Sequence, residues 1–142
     1  MGQGIDGVVR LVLDPNVLIS AVLSKNGAPA RLVREWLRGS FELVVSEALL
    51  DELRRALAYP ELRELIRPGE AARLLDALRA GATMAPDPVE PHDVRSRDPN
   101  DDYLIALAAA QSAMLVTGDS DLLDLRQRAP IRSPREALEL LA

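Results

Sequence analysis

The chain has 142 residues, a length typical of one domain, so we expect a single domain over residues 1–142. Hydrophobic residues make up 48% and charged residues 27%, which supplies enough apolar surface for a folded core and excludes global disorder. The formal net charge of −5 excludes nucleic-acid binding through bulk positive charge, and the lack of cysteine excludes disulfides and thiolate metal sites.

The sequence carries no signal for a membrane or for export. No apolar run approaches the roughly 18 residues that span a bilayer, and residues 1–6 lack the basic flank of a secretion signal. A chain without cysteine also fits a reducing compartment. We therefore expect a cytoplasmic protein that does not associate with membranes.

The first half of the chain alternates strand and helix patterns. Residues 8–13 form an apolar run rich in β-branched side chains, which predicts a buried strand, and the Asp-Pro-Asn sequence at 14–16 predicts a turn. Residues 29–39 predict an amphipathic helix that begins at a proline and ends at a glycine. Residues 41–45 predict a second strand, and Ser46 is expected to cap the helix that follows.

The alternation continues after a helical insertion. Two helices are predicted over residues 61–66 and 69–80, followed by a short strand over residues 82–86. Residues 100–113 are rich in alanine and leucine, which predicts a helix with a small face suited to close packing on a sheet. Residues 114–117 then predict another central strand.

The last part of the chain completes the pattern. It contains an apolar segment at residues 122–125, a predicted edge strand at 130–132 and a predicted closing helix at 134–141. Parallel strands need crossover connections, and these are usually helical. The sequence therefore predicts an α/β fold with a parallel sheet and helices on both faces.

Acidic residues follow the predicted strands, where an open α/β sheet places its ligand site. Asp14 closes the first strand, Glu52 lies in the helix after the second, Asp102 opens the alanine-rich helix, and Asp119 follows residues 114–117. Carboxylates gathered in one cleft repel one another unless a cation neutralises them. Oxygen ligands without cysteine favour Mg²⁺ or Mn²⁺ over Zn²⁺. Such ions promote phosphodiester hydrolysis, which is the predicted reaction.

Each acid taken alone also has a structural interpretation, because aspartates at strand ends and in first helical turns are ordinary helix caps. Only the conjunction of the four favours a functional site. A phospho-acceptor receiver domain also collects acids at strand ends, but it needs a lysine late in the chain, and the only lysine is Lys25. Neither a Gly-x-Gly-x-x-Gly turn nor a P-loop occurs, which argues against a nucleotide-binding domain.

Four segments resemble, in order, the motifs of the PIN domain family, especially its compact bacterial and archaeal toxins. They are Leu11–Ala21 around Asp14, Val45–Leu53 around Glu52, Arg97–Ala108 around Asp102, and Leu115–Leu123 around Asp119 and Asp121. One departure is Pro15, where the family usually has threonine, which removes a hydroxyl and a backbone N–H beside the first acid.

The resemblance implies a three-layer α/β/α fold with a parallel sheet of four or five strands. It implies a metal-dependent endoribonuclease that uses Mg²⁺ or Mn²⁺, in which Asp14, Glu52, Asp102 and Asp119 are catalytic acids and metal ligands. Asp121 competes with Asp119 for the role of fourth ligand. The neighbouring acids Asp98 and Asp101 fit the third motif less well than Asp102.

The resemblance also implies partners. Members of the family are commonly homodimers and are frequently encoded beside an inhibitory antitoxin, so the predicted partners are an RNA substrate, a second copy of the chain and a cognate antitoxin. The alternative is a PIN-like module that binds RNA or a partner protein without cleaving it, against which the retention of all four acids argues. The sequence does not specify the RNA that is cleaved, because substrate choice depends on surface shape.

Polar residues beside the motif acids are candidates for supporting roles. The hydroxyls of Ser20 and Thr117 and the amide of Asn16 can orient a carboxylate, although each residue type also occurs as a local turn cap. Arg95 and Arg97 precede the third motif and are candidates for a phosphate contact.

Overall fold

A computed structural model of the protein describes residues 8–142. The prediction about a secretion signal at residues 1–6 lies outside these residues. Five strands form one parallel sheet in the order β3-β2-β1-β4-β5. They are β1 (Arg10–Leu13), β2 (Glu42–Val45), β3 (Thr83–Met84), β4 (Met114–Val116) and β5 (Ile131–Arg132). The predicted α/β fold with a parallel sheet is confirmed.

Helices connect the strands and cover both faces of the sheet, which gives the predicted three-layer α/β/α arrangement. In the described part of the chain they are α1 (Pro15–Leu23), α2 (Ala28–Leu37), α3 (Glu47–Leu57), α4 (Pro60–Arg63), α5 (Glu70–Gly81), α6 (Asp102–Ala110), α7 (Ser120–Leu123) and α8 (Pro134–Leu141). A 3-10 helix at Pro99–Asp101 precedes α6. Within residues 8–142, no helix is both long enough and apolar enough to cross a membrane.

The predicted turn at 14–16 is wrong, because helix α1 begins at Pro15 directly after β1. Proline is well suited to the first position of a helix, since its fixed φ is helical and the missing N–H has no helical partner there. Asp14 supplies the cap, and its Oδ1 accepts a hydrogen bond from the backbone N–H of Asn16 at 2.9 Å. The departure from the family's threonine is thus compatible with the local fold.

Other boundaries differ by a few residues. The helix predicted over 61–66 is the shorter α4, and the helix predicted over 100–113 is divided into the 3-10 helix and α6. Helix α6 ends at Ala110, and Ser112 has a positive φ of 51° in the turn that leads into β4. The predicted cap of α3 is confirmed, since Ser46 Oγ accepts from the backbone N–H of Leu49 at 3.2 Å.

The core fixes the centre of the sheet. Leu11, Val12 and Leu13 of β1 are at most 1% exposed, as expected for a strand with neighbours on both sides and helices on both faces. The buried residues 104–108 of α6 contribute leucine, isoleucine and small alanines that pack near β1 and β4. Each fully buried aliphatic side chain contributes about 1.5–3 kcal/mol. The residues that follow β1 and β4 are therefore held by a rigid base.

Candidate active site

The carboxyl ends of β1 and β4 form the topological switch point of the sheet. Strands β2 and β3 lie on one side of β1, and strands β4 and β5, which come later in the chain, lie on the other side. Open α/β sheets bind their ligands in the crevice at such a point. The two strands remain paired to their ends, because the backbone N–H of Asp14 donates to the carbonyl of Val116 at 2.9 Å.

Asp14 is a buried carboxylate at this point, with 3% of its surface exposed. Its Oδ2 accepts a hydrogen bond from Thr117 Oγ1 at 2.9 Å, in addition to the bond that Oδ1 accepts from Asn16. Burial raises the pKa of Asp14, the two hydrogen bonds partly offset that rise, and the charge of Asp119 adds to it. Asp14 takes part in none of the ion pairs among residues 8–142.

Thr117 connects the acids that follow the two strands. Its fully buried hydroxyl donates to Asp14 and accepts a hydrogen bond from the backbone N–H of Asp119 at 3.1 Å. Asp119 in turn caps α7, where its Oδ1 accepts from the backbone N–H of Asp121 at 2.9 Å. The predicted orienting role of Thr117 toward a carboxylate therefore has a direct structural basis.

Glu52 reaches the site from α3 and is held by an aromatic hydroxyl. Tyr103 donates a hydrogen bond to Glu52 Oε1 at 2.8 Å, which joins α3 to α6 across 51 sequence positions. Burial and the contact with Glu52 raise the pKa of Tyr103, so the hydroxyl remains protonated as a donor. The sequence interpretation missed Tyr103, although an aromatic residue directly after the third-motif acid was a visible signal.

Asp101 is the third-motif acid that shares the electrostatic field of the other three. Burial raises its pKa to about 6, and Asp14, Asp98, Glu52 and Asp119 add to that rise. By contrast, Asp102 has a separate partner, because its Oδ1 accepts a hydrogen bond from the backbone N–H of Ser96 at 2.7 Å. The structure thus brings Asp101 to the cluster and uses Asp102 to anchor the preceding loop. The role of Asp102 as a ligand stays a prediction.

The remaining candidates lie at the rim. Asp121 is paired with Arg97, with 3.4 Å between Oδ1 and Nη1, and both side chains are largely solvated. This pairing holds Arg97 beside Asp121, and the predicted phosphate contact of Arg97 stays a prediction. Arg95 is instead folded back onto its own loop, where its Nε donates to the carbonyl of His92 at 2.8 Å. Ser20 and Asn16 are exposed on α1.

The acids fit a hard divalent cation in donor type and in charge. They are all carboxylates, and the raised pKa values of Asp14 and Asp101 show repulsion and desolvation that a cation would relieve. Among residues 8–142, no group of three or more histidine, aspartate or glutamate side chains is already arranged to hold a metal ion.

Two clefts flank the acids. The first, of about 390 Å³, lies between α1, Pro29 of α2, Gly118, Asp119 and Pro134. The second, of about 710 Å³, lies between α3 and residues 98–103 and contains Glu52 and Asp101. We call this second cleft the α3 cleft. An extended ligand crossing the acidic edge has room on both sides.

Replacing Asp101 by asparagine is expected to stabilise the metal-free protein at neutral pH. The folded state holds the Asp101 proton more tightly than the unfolded chain, so ionisation above pH 6 costs stability. Because solvent screens a half-buried group, we expect a gain of about 1 kcal/mol at pH 7. The gain should disappear as the pH falls through about 6 toward the ordinary value of 3.8.

Urea unfolding in EDTA at several pH values measures this difference between Asp101→Asn and the wild type. Asp124→Asn is the matched control, since Asp124 is exposed beyond α7 and outside the acidic cluster. A loss of stability in Asp101→Asn at pH 7 would contradict the repulsion argument and favour a structural cap.

The fold and the site together define the class of protein: a parallel α/β domain with acids at the carboxyl edge of its central strands. Residues 10–121 match the model of the PIN domain. The chain belongs to the PIN domain family, as the sequence predicted. PIN domains are generally nucleases that use divalent metal ions.

The chain is similar in sequence to one curated protein and in fold to several solved structures. The chain is 30% identical over 120 residues to the uncharacterised protein MJ1680 of Methanocaldococcus jannaschii, which covers 83% of this chain and 76% of that protein. The fold of this chain is similar to that of PAE2754 from Pyrobaculum aerophilum, with a TM-score of 0.65 and 19% identity over 97% of this chain and 98% of that one.

A second structural neighbour is VapBC2 from Rickettsia felis, solved bound to a DNA fragment from its promoter. The TM-score is 0.56 and the identity 15%, over 88% of this chain and 98% of that one. A third is a PilT N-terminus domain protein, SSO1118, from Sulfolobus solfataricus, with a TM-score of 0.52 and 14% identity over 94% and 93% of the two chains. These likenesses show the fold.

Proposed function

We propose that the protein is a metal-dependent endoribonuclease that hydrolyses RNA at the carboxyl edge of β1 and β4. The observation that carries the proposal is the buried carboxylate of Asp14, held by Thr117 beside Asp119 at the switch point of the sheet. Burial of this carboxylate is costly although Asp14 caps α1, because its two hydrogen bonds offset the desolvation only in part. A divalent cation removes that cost and is the cofactor expected of a PIN nuclease.

In this proposal Asp14, Glu52 and Asp119 would hold Mg²⁺ or Mn²⁺ together with Asp101, which takes the place of Asp102, the third ligand that the family resemblance implies. Asp121 is the alternative to Asp119. A bound divalent cation supplies Lewis acidity toward a phosphodiester and lowers the pKa of water. Thr117 and Tyr103 orient Asp14 and Glu52 through their hydroxyls. The clefts on either side accept the strand.

Digestion of labelled single-stranded RNA in Mg²⁺, in Mn²⁺ and in EDTA tests the proposal. We expect cleavage with either metal and none in EDTA, because the acidic edge repels phosphate until a cation neutralises it. Cleavage that persists in EDTA would contradict metal dependence. Binding of RNA without any cleavage would favour the alternative, a non-catalytic PIN-like module.

Tyr103→Phe should weaken metal binding while leaving the fold intact. The variant loses only the hydroxyl that holds Glu52 Oε1, so the glutamate becomes free to rotate. Loss of such a supporting hydrogen bond typically lowers metal affinity about tenfold. Calorimetric titration with Mn²⁺ measures the effect, and saturating metal should restore most of the activity.

Tyr59→Phe is the matched control for this substitution. It removes the same hydroxyl from the other tyrosine of the chain, which is exposed and does not hydrogen-bond to Glu52. Equal Mn²⁺ affinity in Tyr103→Phe and the wild type would show that the hydrogen bond does not position the glutamate.

We further propose that the chain is the toxin of a toxin–antitoxin pair. The family resemblance and the fold similarity to VapBC2 support this role.

A homodimer is part of the same proposal. A small gene directly upstream that encodes a DNA-binding pattern, with co-purification of its product, would support the pairing, and sedimentation of the purified protein as a monomer would contradict the dimer.

A further inference from the structure

The α3 cleft contains more than the acids of the site. Its α3 wall carries Ala48, Glu52, Ala56 and, just past the end of the helix, Tyr59, and its opposite wall is formed by residues 98–103. The cleft is therefore continuous with the acidic edge through Glu52 and extends away from it along the helix.

Tyr59 is the most exposed aromatic ring of the chain. Of the four aromatic residues, Trp36 and Phe41 are buried, Tyr103 is half-buried, and Tyr59 is 61% exposed. Its backbone is nevertheless fixed, because its carbonyl accepts hydrogen bonds from the N–H groups of Leu62 and Arg63 at 3.0 Å. A flat apolar ring thus stands in solvent on a rigid support, an arrangement from which folding gains little.

The ring lies on the same side of α3 as the proposed metal ligand. Glu52 and Ala56 are four residues apart in α3 and share one helical face, and Tyr59, two residues past the end of the helix, lines the same cleft. The small side chain of Ala56 leaves the space between the glutamate and the ring open.

The charges of the cleft decide which part of a nucleic acid enters it. Three carboxylates line it, those of Glu52, Asp98 and Asp101, against one guanidinium, that of Arg55. Arg55 is already paired with Asp51, with 3.3 Å between Nε and Oδ2. The proposed cation would neutralise Glu52 and Asp101, so the lining keeps Asp98 against the paired Arg55 and offers a phosphate no net positive charge. A neutral base has the flat face that stacks on an exposed ring.

We propose that the α3 cleft is a nucleobase subsite, in which Tyr59 stacks on a base of single-stranded RNA beside the phosphodiester that is cleaved. The inference rests on the proposed ribonuclease function, because that function sets the position of the scissile phosphodiester at the acids. Only an unpaired, unstacked base exposes its face to the ring, so the subsite favours single strands over duplexes. Stacking on the ring is tolerant of base identity.

Steady-state cleavage of a labelled single-stranded RNA by Tyr59→Ala is the first test. We expect KM to rise about tenfold with kcat nearly unchanged, because the ring binds substrate without taking part in the reaction. Tyr59→Phe keeps the ring and should remain within about twofold of the wild type. Leu65→Ala, which trims another exposed apolar side chain outside the cleft, should have no effect.

An abasic substrate links the effect to a base. In a set of RNAs that each lack one base next to the mapped cleavage position, one RNA should be cleaved equally by Tyr59→Ala and the wild type. That RNA lacks the base that stacks on Tyr59, so removing the ring as well causes no further loss of cleavage.

Two results separate the failure of the subsite from the failure of the function. Wild-type cleavage with an unchanged KM in Tyr59→Ala, or a penalty retained on every abasic RNA, would overturn the subsite alone. Wild-type protein that neither binds nor cleaves single-stranded RNA in Mg²⁺ or Mn²⁺ would overturn both the subsite and the ribonuclease.

Discussion

Asp14→Asn should lower kcat/KM for RNA cleavage by more than about a hundredfold while the protein remains folded. The asparagine keeps a carbonyl oxygen that can accept from the N–H of Asn16, so the cap of α1 survives. What disappears is the negative charge at the most buried acid of the site. A neutral amide is a weak ligand for a hard cation, so metal binding is lost with it.

Thermal unfolding and RNA cleavage measured on the same preparations separate charge from folding. Asp124→Asn makes the same chemical change at an exposed aspartate away from the cluster and should retain wild-type activity. Wild-type cleavage by Asp14→Asn would contradict its assignment, and a collapsed melting transition would show that the carboxylate serves the fold instead.

Asp101→Asn should also lower kcat/KM by more than about a hundredfold, whereas Asp102→Asn should keep activity within about tenfold of the wild type. Asp101 shares the field of Asp14, Glu52 and Asp119, and Asp102 bonds to the loop at Ser96. An amide at 102 still accepts that hydrogen bond through its oxygen.

Each variant is the control for the other, because both replace an aspartate by an asparagine and the two positions are adjacent. Labelled-RNA cleavage at saturating Mn²⁺ gives the comparison. An inactive Asp102→Asn together with an active Asp101→Asn would return the third ligand role to Asp102, as the family motif implies.

The sheet was predictable because its signals are local. Short apolar runs separated by helical patterns indicate parallel strands with crossovers, and an acid after each of the two central strands indicates where a ligand binds. Helix α1 was missed because an Asp-Pro-Asn sequence is as typical of a turn as of a capped helix with proline in its first position.

The fine structure of the site was not predictable from the same signals. Neighbouring residues of a helix point about 100° apart, so the choice between Asp101 and Asp102 depends on where the 3-10 helix ends and α6 begins. The contact of Tyr103 with Glu52 joins residues 51 positions apart and depends on how α3 packs near α6. Composition and periodicity carry no information on such long-range pairs.

Calorimetric titration of the protein with Mn²⁺ tests the central claim, that the acids after β1 and β4 form one metal centre. We expect saturable binding by the wild type and by Asp124→Asn, weaker at low pH because the ligands must lose their protons. An Asp14→Asn, Asp119→Asn double variant should show no binding. Absence of binding heat for the wild type at millimolar Mn²⁺, or unchanged binding by the double variant, would contradict the account.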